Sequence, residues 1–260
     1  MIAARHPGVL HPPKGAGGPP LVLLHGFLGA PTAWDAVLAS LAQHGPAWCP
    51  WLPGHGPALP QPRSWAAAVG TLAQALPADA VLAGYSMGAR LALAAALQSP
   101  SALRATVLVS GHVGLASVAQ RAERAALDAQ RAQALRAGTL EAFVDSWETL
   151  PLFASQRALP AAVQAQQRQS RLAHEAEALA WAFDVAGLAQ MPDLRAAIAA
   201  ARQPLCFVTG TLDARFDALA AELVRPPWVS QRRVSAAGHN LLLEAPADVA
   251  ASLACWMEKP

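Results

Sequence analysis

Three residues, met in the order Ser86, Asp213 and His239, carry side chains that can act together in acyl or proton transfer. A serine hydroxyl is a weak nucleophile and a weak base until a histidine takes its proton, and a carboxylate must hold that histidine in place. Ser86 stands in Ala83-Gly84-Tyr85-Ser86-Met87-Gly88-Ala89-Arg90, with an apolar run before it and a helix-forming run after it. G-x-S-x-G at such a junction predicts a sharp strand-to-helix turn with a strained serine at its tip. Gly84 and Gly88 remove side chains that would clash beside it. The helix that follows aims its first N–H groups at the serine, where negative charge can be held.

Asp213 follows a buried apolar run in Gly210-Thr211-Leu212-Asp213, and His239 follows the next run in Ala237-Gly238-His239-Asn240. In a parallel sheet both positions fall at strand carboxyl ends, the same edge as Ser86. Asp217 is the reserve acid, weaker because it falls inside a helix. His55 and His112 are reserve bases, but both precede the slot after the last strand. His25-Gly26-Phe27 supplies a second amide for an oxyanion site, so the N–H groups of Phe27 and Met87 are expected to converge on one oxygen. His25 and His55 themselves read as loop-packing residues. Arg90 lies four residues after Ser86, one helical turn away, and a guanidinium there suits an anionic substrate.

The elements that must position these residues alternate. Leu21–Leu24 reads as a strand buried on both faces, a helix runs from about 31 to 42, and 47–51 is a short strand broken by prolines. Ser64 is placed as the N-cap of a helix to Leu76. The elbow strand and helix follow, then a strand over 105–110, and after a long gap a strand at 205–210, a helix at 216–223, a strand at 228–234 and a closing helix at 248–257. Residues 1–20 read as loosely structured. This predicts an α/β fold with a mostly parallel central sheet covered by helices on both faces. Between His112 and Gln190 strand signals stop, and alanine-, arginine- and glutamine-rich helical spacing takes over, broken at Gly138, Pro151 and Pro160. That stretch, 112–190, is expected to be a helical cap between two core segments, 1–111 and 191–260.

Composition excludes several classes. The formal charge of +2 offers no basis for nucleic-acid binding. No run of about 20 apolar residues predicts a membrane span, and 1–7 lack the apolar stretch of a signal peptide. Cys49, Cys206 and Cys255 read as reduced core thiols of a cytoplasmic protein. No cluster has metal-ligand spacing, so neither metal nor organic cofactor is expected.

The motifs HGF, PGHG, GYSMGAR, GTLD and AGHN resemble the α/β-hydrolase superfamily over essentially the whole chain. In and around the cap, Ser110 to Leu115, Gln120 to Arg124, Trp147 to Ser155 and Met191 to Leu194 resemble one family within it, the 2-succinyl-6-hydroxy-2,4-cyclohexadiene-1-carboxylate synthases of menaquinone biosynthesis. That resemblance implies a lyase that eliminates pyruvate from a cyclohexene tricarboxylate. Ser86 would act as a base backed by His239 and Asp213, and the Phe27 and Met87 amides would hold an enolate oxygen. Tyr85, Arg90, Arg124, Trp147 and Arg168 would line the pocket and grip carboxylates. The alternative is a carboxylesterase or thioesterase working on a small acidic acyl substrate through an acyl-Ser86. A catalytically dead binding protein on this fold has no use for an ordered triad.

Overall fold

The computed structural model describes residues 7–56, 62–98 and 103–258. Residues 1–6, part of the stretch read for a signal peptide, lie outside the described residues. Seven strands form one sheet: β1 (Gly8–His11), β2 (Leu21–Leu24), β3 (Ala47–Pro50), β4 (Ala80–Tyr85), β5 (Leu103–Val109), β6 (Leu205–Gly210) and β7 (Val229–Val234). Their order across the sheet is β1-β3-β2-β4-β5-β6-β7, with β1 antiparallel to β3 and the other pairings parallel. β1 corrects the expectation of a loose N-terminal stretch. Gly8-Val9-Leu10-His11 is an exposed edge strand whose order comes from pairing with 47–50, which a local apolar pattern does not reveal.

The central strands are continuous apolar runs because successive side chains enter opposite layers. Val22, Leu24, Leu82, Leu108 and Phe207 pack on α2 (Trp65–Ala75), α3 (Met87–Gln98), α8 (Arg195–Ala200) and α9 (Ala214–Leu223). Leu21, Leu23, Val81, Val107 and Val208 pack on α1 (Asp35–Ser40), α10 (Leu241–Glu244) and α11 (Pro246–Met257). The Ser64 hydroxyl caps α2 by accepting from the Ala67 N–H, as its place in the sequence predicts. Cys49 and Cys206 are buried, but Cys255 is exposed on α11, against the expectation of a core thiol.

Between β5 and β6 lie α4 (Val118–Ala137), α5 (Leu140–Glu148), a 3-10 helix (Pro151–Ala158), α6 (Ala161–Leu172) and α7 (Ala176–Ala186). A reciprocal Ser117–Gln120 capping box starts α4, and the Thr139 hydroxyl caps α5. These helices own an apolar cluster of Ala132, Leu135, Phe143, Val144, Leu179, Ala180 and Phe183. The core's Phe27 enters that cluster, with its ring centroid 4.5 Å from Phe183 and 5.0 Å from Trp147. The loop after β2 is thereby fixed to the helices above it. Among the described residues no helix is long and apolar enough to cross a membrane.

Candidate active site

Ser86 sits between β4 and α3 with φ +52°, the strained turn that the motif predicts. A Cβ on Gly88 would run into the carbonyls of Leu24 and His25, and one on Gly84 into the backbone of Gly88. Glycine at both positions therefore lets β4, its helix and the loop after β2 approach backbone to backbone.

The three sequence-predicted catalytic side chains meet. His239 Nδ1 lies 2.7 Å from Asp213 Oδ2, and its Nε2 lies 3.1 Å from the Ser86 hydroxyl oxygen. A carboxylate can only accept, so Nδ1 carries the proton and Nε2 is left to accept from the serine. Asp213 and His239 are buried and Ser86 is half-buried, and the rings of Phe216 and Tyr85 stand 4.7 and 5.5 Å from the imidazole. Asp217 is spent elsewhere: in α9 it accepts from Thr209, Gln231 and Arg233.

His25 and His55 are structural, as their loop positions suggest. His25 Nε2 accepts from the Leu52 N–H at 3.1 Å while Nδ1 donates to the Gly26 carbonyl at 2.8 Å. His55 Nε2 accepts from the Leu28 N–H at 3.0 Å while Nδ1 donates to the Pro53 carbonyl at 3.0 Å. The two rings staple the loop after β2 to the loop after β3. Burial pulls His25 down to about 3 and His55 well below its ordinary range, so both are neutral.

A cavity of about 270 Å³ opens on the triad. Phe27, Tyr85, Ser86, Met87 and His239 line it, and Trp147, Phe153 and Phe183 add further aromatic surface. The Phe27 and Met87 amides have no acceptor among the described residues, which leaves both free to donate. One end is basic. Arg90, Arg124, Arg131 and Arg215 line it, and no carboxylate does among the described residues. Arg90 is nearly buried, donates to the Ala186 carbonyl at 2.8 Å and stands 5.9 Å from the Trp65 ring. Burial and the neighbouring Arg124 pull its guanidinium down to about 9, with Asp128 opposing.

Tyr85, Arg90, Arg124 and Trp147 are thus brought together as expected, and Arg168 is not. Arg168 is part-exposed on the outer side of α6, where it pairs with Asp145 at 2.7 Å and Glu148 at 3.1 Å. Arg171, one turn later, is the buried arginine of that helix. It pairs with Glu148 at 2.8 Å, lies 5.5 Å from the Phe153 ring, and lines a second cavity of about 280 Å³. That cavity shares Phe27, Tyr85, Trp147 and Phe153 with the first. Sequence reasoning also missed Arg131 and Arg215. Arg124, Asp128 and Arg131 stand at i, i+4 and i+7 on α4, one face of a helix, and that spacing was the available signal. Asp128 joins them, 2.7 Å from Arg124 and 4.0 Å from Arg131. Arg215 follows Asp213 by two residues.

The family model described as the alpha/beta hydrolase family matches residues 21–252. A 2-succinyl-6-hydroxy-2,4-cyclohexadiene-1-carboxylate synthase from Escherichia coli O1:K1 / APEC is 38% identical over 247 residues, covering 92% of this chain and 93% of that protein. The chain belongs to the alpha/beta hydrolase family, within its 2-succinyl-6-hydroxy-2,4-cyclohexadiene-1-carboxylate synthase group. Among solved structures of the family, MenH from S. aureus superposes with a TM-score of 0.89 at 28% identity, covering 97% of this chain and 98% of that one. A thermophilic esterase from Thermogutta terrifontis, with malate bound, gives a TM-score of 0.75 at 25% identity, covering 95% and 92%. The hydrolase-family fold expected from the motifs is therefore the fold observed. Among the described residues no group of metal-ligating side chains is assembled.

Proposed function

We propose that this hydrolase-family chain is a cytoplasmic lyase that eliminates pyruvate from a cyclohexene tricarboxylate to give 2-succinyl-6-hydroxy-2,4-cyclohexadiene-1-carboxylate. The observation that supports it best is a triad cavity lined by four guanidiniums and, among the described residues, by no carboxylate. A substrate carboxylate loses its water on entering, and bidentate arginine contacts replace it. Residues 112–190 act as the cap that brings Arg124, Arg131 and Trp147 over the triad.

The chemistry begins at the serine. His239 accepts the Ser86 proton, and the serine oxygen removes the proton beside the substrate carbonyl. The C–H electron pair passes to the carbonyl oxygen, which the Phe27 and Met87 amides hold as an enolate. Collapse of the enolate breaks the C–O bond to the enolpyruvyl group. The departing enolate takes the proton back from the imidazolium–serine pair and ends as pyruvate. Asp213 keeps His239 in the tautomer that can receive that proton. Tyr85 is held as a neutral phenol by burial, so it is an uncharged wall of the site and not a second base.

The test is pyruvate release from the cyclohexene tricarboxylate, read together with the mass of the enzyme during turnover. The lyase reading expects pyruvate, a new conjugated diene and no adduct on Ser86. An acyl-Ser86 species without pyruvate establishes the hydrolase instead.

A further inference from the structure

Ser110-Gly111-His112-Val113-Gly114-Leu115 follows β5, and the triad chemistry leaves its histidine unused. We propose that His112 is a specificity-determining residue whose Nε2–H donates to a carboxylate oxygen of the substrate at the basic end of the cavity. The identity of that substrate rests on the lyase reading above.

The tautomer follows from the backbone. The Gly114 N–H donates to His112 Nδ1 at 3.1 Å, so Nδ1 is a bare acceptor and the ring proton sits on Nε2. Nε2 has no acceptor within the protein among the described residues, and it is not sealed from the cavity that His112 lines. The ring cannot turn freely. It is nearly buried, with its edge on Phe216 at 6.1 Å and an interplanar angle of 80°. Gly114 is left-handed, φ +95°, and a Cβ there would strike the Pro192 carbonyl. The Leu194 N–H donates to the Val113 carbonyl at 2.8 Å, closing the loop against the segment before α8.

The charges around the ring decide what it can do. Arg215 on α9, Arg90 on α3, Arg195 on α8 and Arg124 on α4 all act on it. Together with burial, the larger effect, they hold it down to about 3. An imidazole whose Nδ1 already accepts and whose Nε2 is protonated has no lone pair for a substrate proton. His112 is therefore a donor and not the reserve base. A carboxylate offers about four lone-pair sites, and guanidiniums in the cavity leave some of them open. A neutral donor fills one without adding a fifth positive charge to a crowded site.

His112→Phe keeps a ring and deletes the donor; His112→Gln keeps a donor. In steady-state pyruvate release the Phe variant is expected to raise KM about tenfold to a hundredfold, with the main loss in KM and not in kcat. The Gln variant should recover part of that loss. A KM within about twofold of wild type for His112→Phe overturns the proposal. Nitrogen-15 NMR of the wild-type imidazole supplies a reading that survives a variant that fails to fold. The Nε2–H tautomer, with that proton moving downfield on adding the cyclohexadiene dicarboxylate product, supports the contact; an Nδ1–H tautomer or an unmoved proton overturns it. If the wild type releases no pyruvate, the lyase reading fails separately. Calorimetric titration with the same dicarboxylate then decides His112, with at least about tenfold weaker binding by the Phe variant in support and equal binding against.

Discussion

The Ser110 hydroxyl donates to the backbone carbonyl of His239 at 2.8 Å. Ser110 is fully buried, with φ +48°, at the end of β5, so an uncommon backbone conformation holds the hydroxyl at the main chain of the catalytic histidine. Ser110→Ala leaves that carbonyl buried without its donor, which costs about 1–3 kcal/mol. The expected result is a lower urea midpoint and a kcat reduced more than KM is raised. Unchanged kcat with lowered stability limits Ser110 to a folding role.

Arg168 and Arg171 differ by one turn of α6, and exchanging their roles gives a sharp test. Arg168→Ala removes two part-exposed ion pairs, to Asp145 and Glu148, and should leave kcat/KM within about threefold, as solvent-screened pairs usually do. Arg171→Ala removes a buried guanidinium from beside Phe153 and should lower kcat/KM at least about tenfold. Glu148 still has Arg168 as a partner in that variant, so the loss cannot be assigned to a stranded acid. A large loss in Arg168→Ala with a silent Arg171→Ala returns the clamp to Arg168.

Much of this site was legible because its residues sit in short motifs next to strand ends. Gly84-Tyr85-Ser86-Met87-Gly88 specifies its own turn, and the buried runs before Asp213 and His239 fix the sheet edge they share. Arg168 went wrong because every residue of an exposed, glutamine- and arginine-rich helix such as α6 looks alike in sequence. Which turn faces inward depends on packing against Phe153, a contact between distant segments. β1 was missed for a related reason, since an edge strand with one partner carries little apolar pattern of its own. Arg131 and Arg215 needed no distant contact. They were visible as a helical repeat on α4 and a neighbour of Asp213.

The buried neutral histidines make stability fall in acid. Protonating His25 would set a new N–H against the Leu52 N–H, and protonating His55 one against the Leu28 N–H. His25 is pulled from 6.5 to about 3 in the folded protein, and His55, His174 and His112 move in the same direction, all chiefly through burial. The unfolded chain therefore binds more protons between these limits, and stability rises with pH across that window. It is fully present above about pH 6.5 and is lost as pH falls toward 3. His25 alone accounts for about 2 kcal/mol between pH 7.5 and 5. Urea unfolding at pH 7.5 and pH 5 reads this directly; equal unfolding free energies at the two values would contradict the neutral assignment.

Two duties meet in Arg90, and a two-substrate comparison separates them. Its guanidinium donates to the Ala186 carbonyl at the end of α7 and also lines the basic end of the cavity. Arg90→Ala strands that carbonyl and opens space beside Trp65, so some stability is lost whatever the substrate. The larger effect is expected in binding. A desolvated carboxylate left without its arginine costs about 3–5 kcal/mol, two to three decades and more in kcat/KM. Arg90→Lys keeps a positive charge but loses the planar fork. One ammonium cannot serve the Ala186 carbonyl and a bidentate carboxylate together, so rescue should be partial. The measurement is kcat/KM for wild type and both variants on the cyclohexene tricarboxylate and on an uncharged aryl ester. Loss on the tricarboxylate far beyond that on the ester assigns Arg90 to the anion. Equal losses on both leave it as a tie between α3 and α7, and the basic end of the cavity then has to hold its carboxylates through Arg124, Arg131 and Arg215.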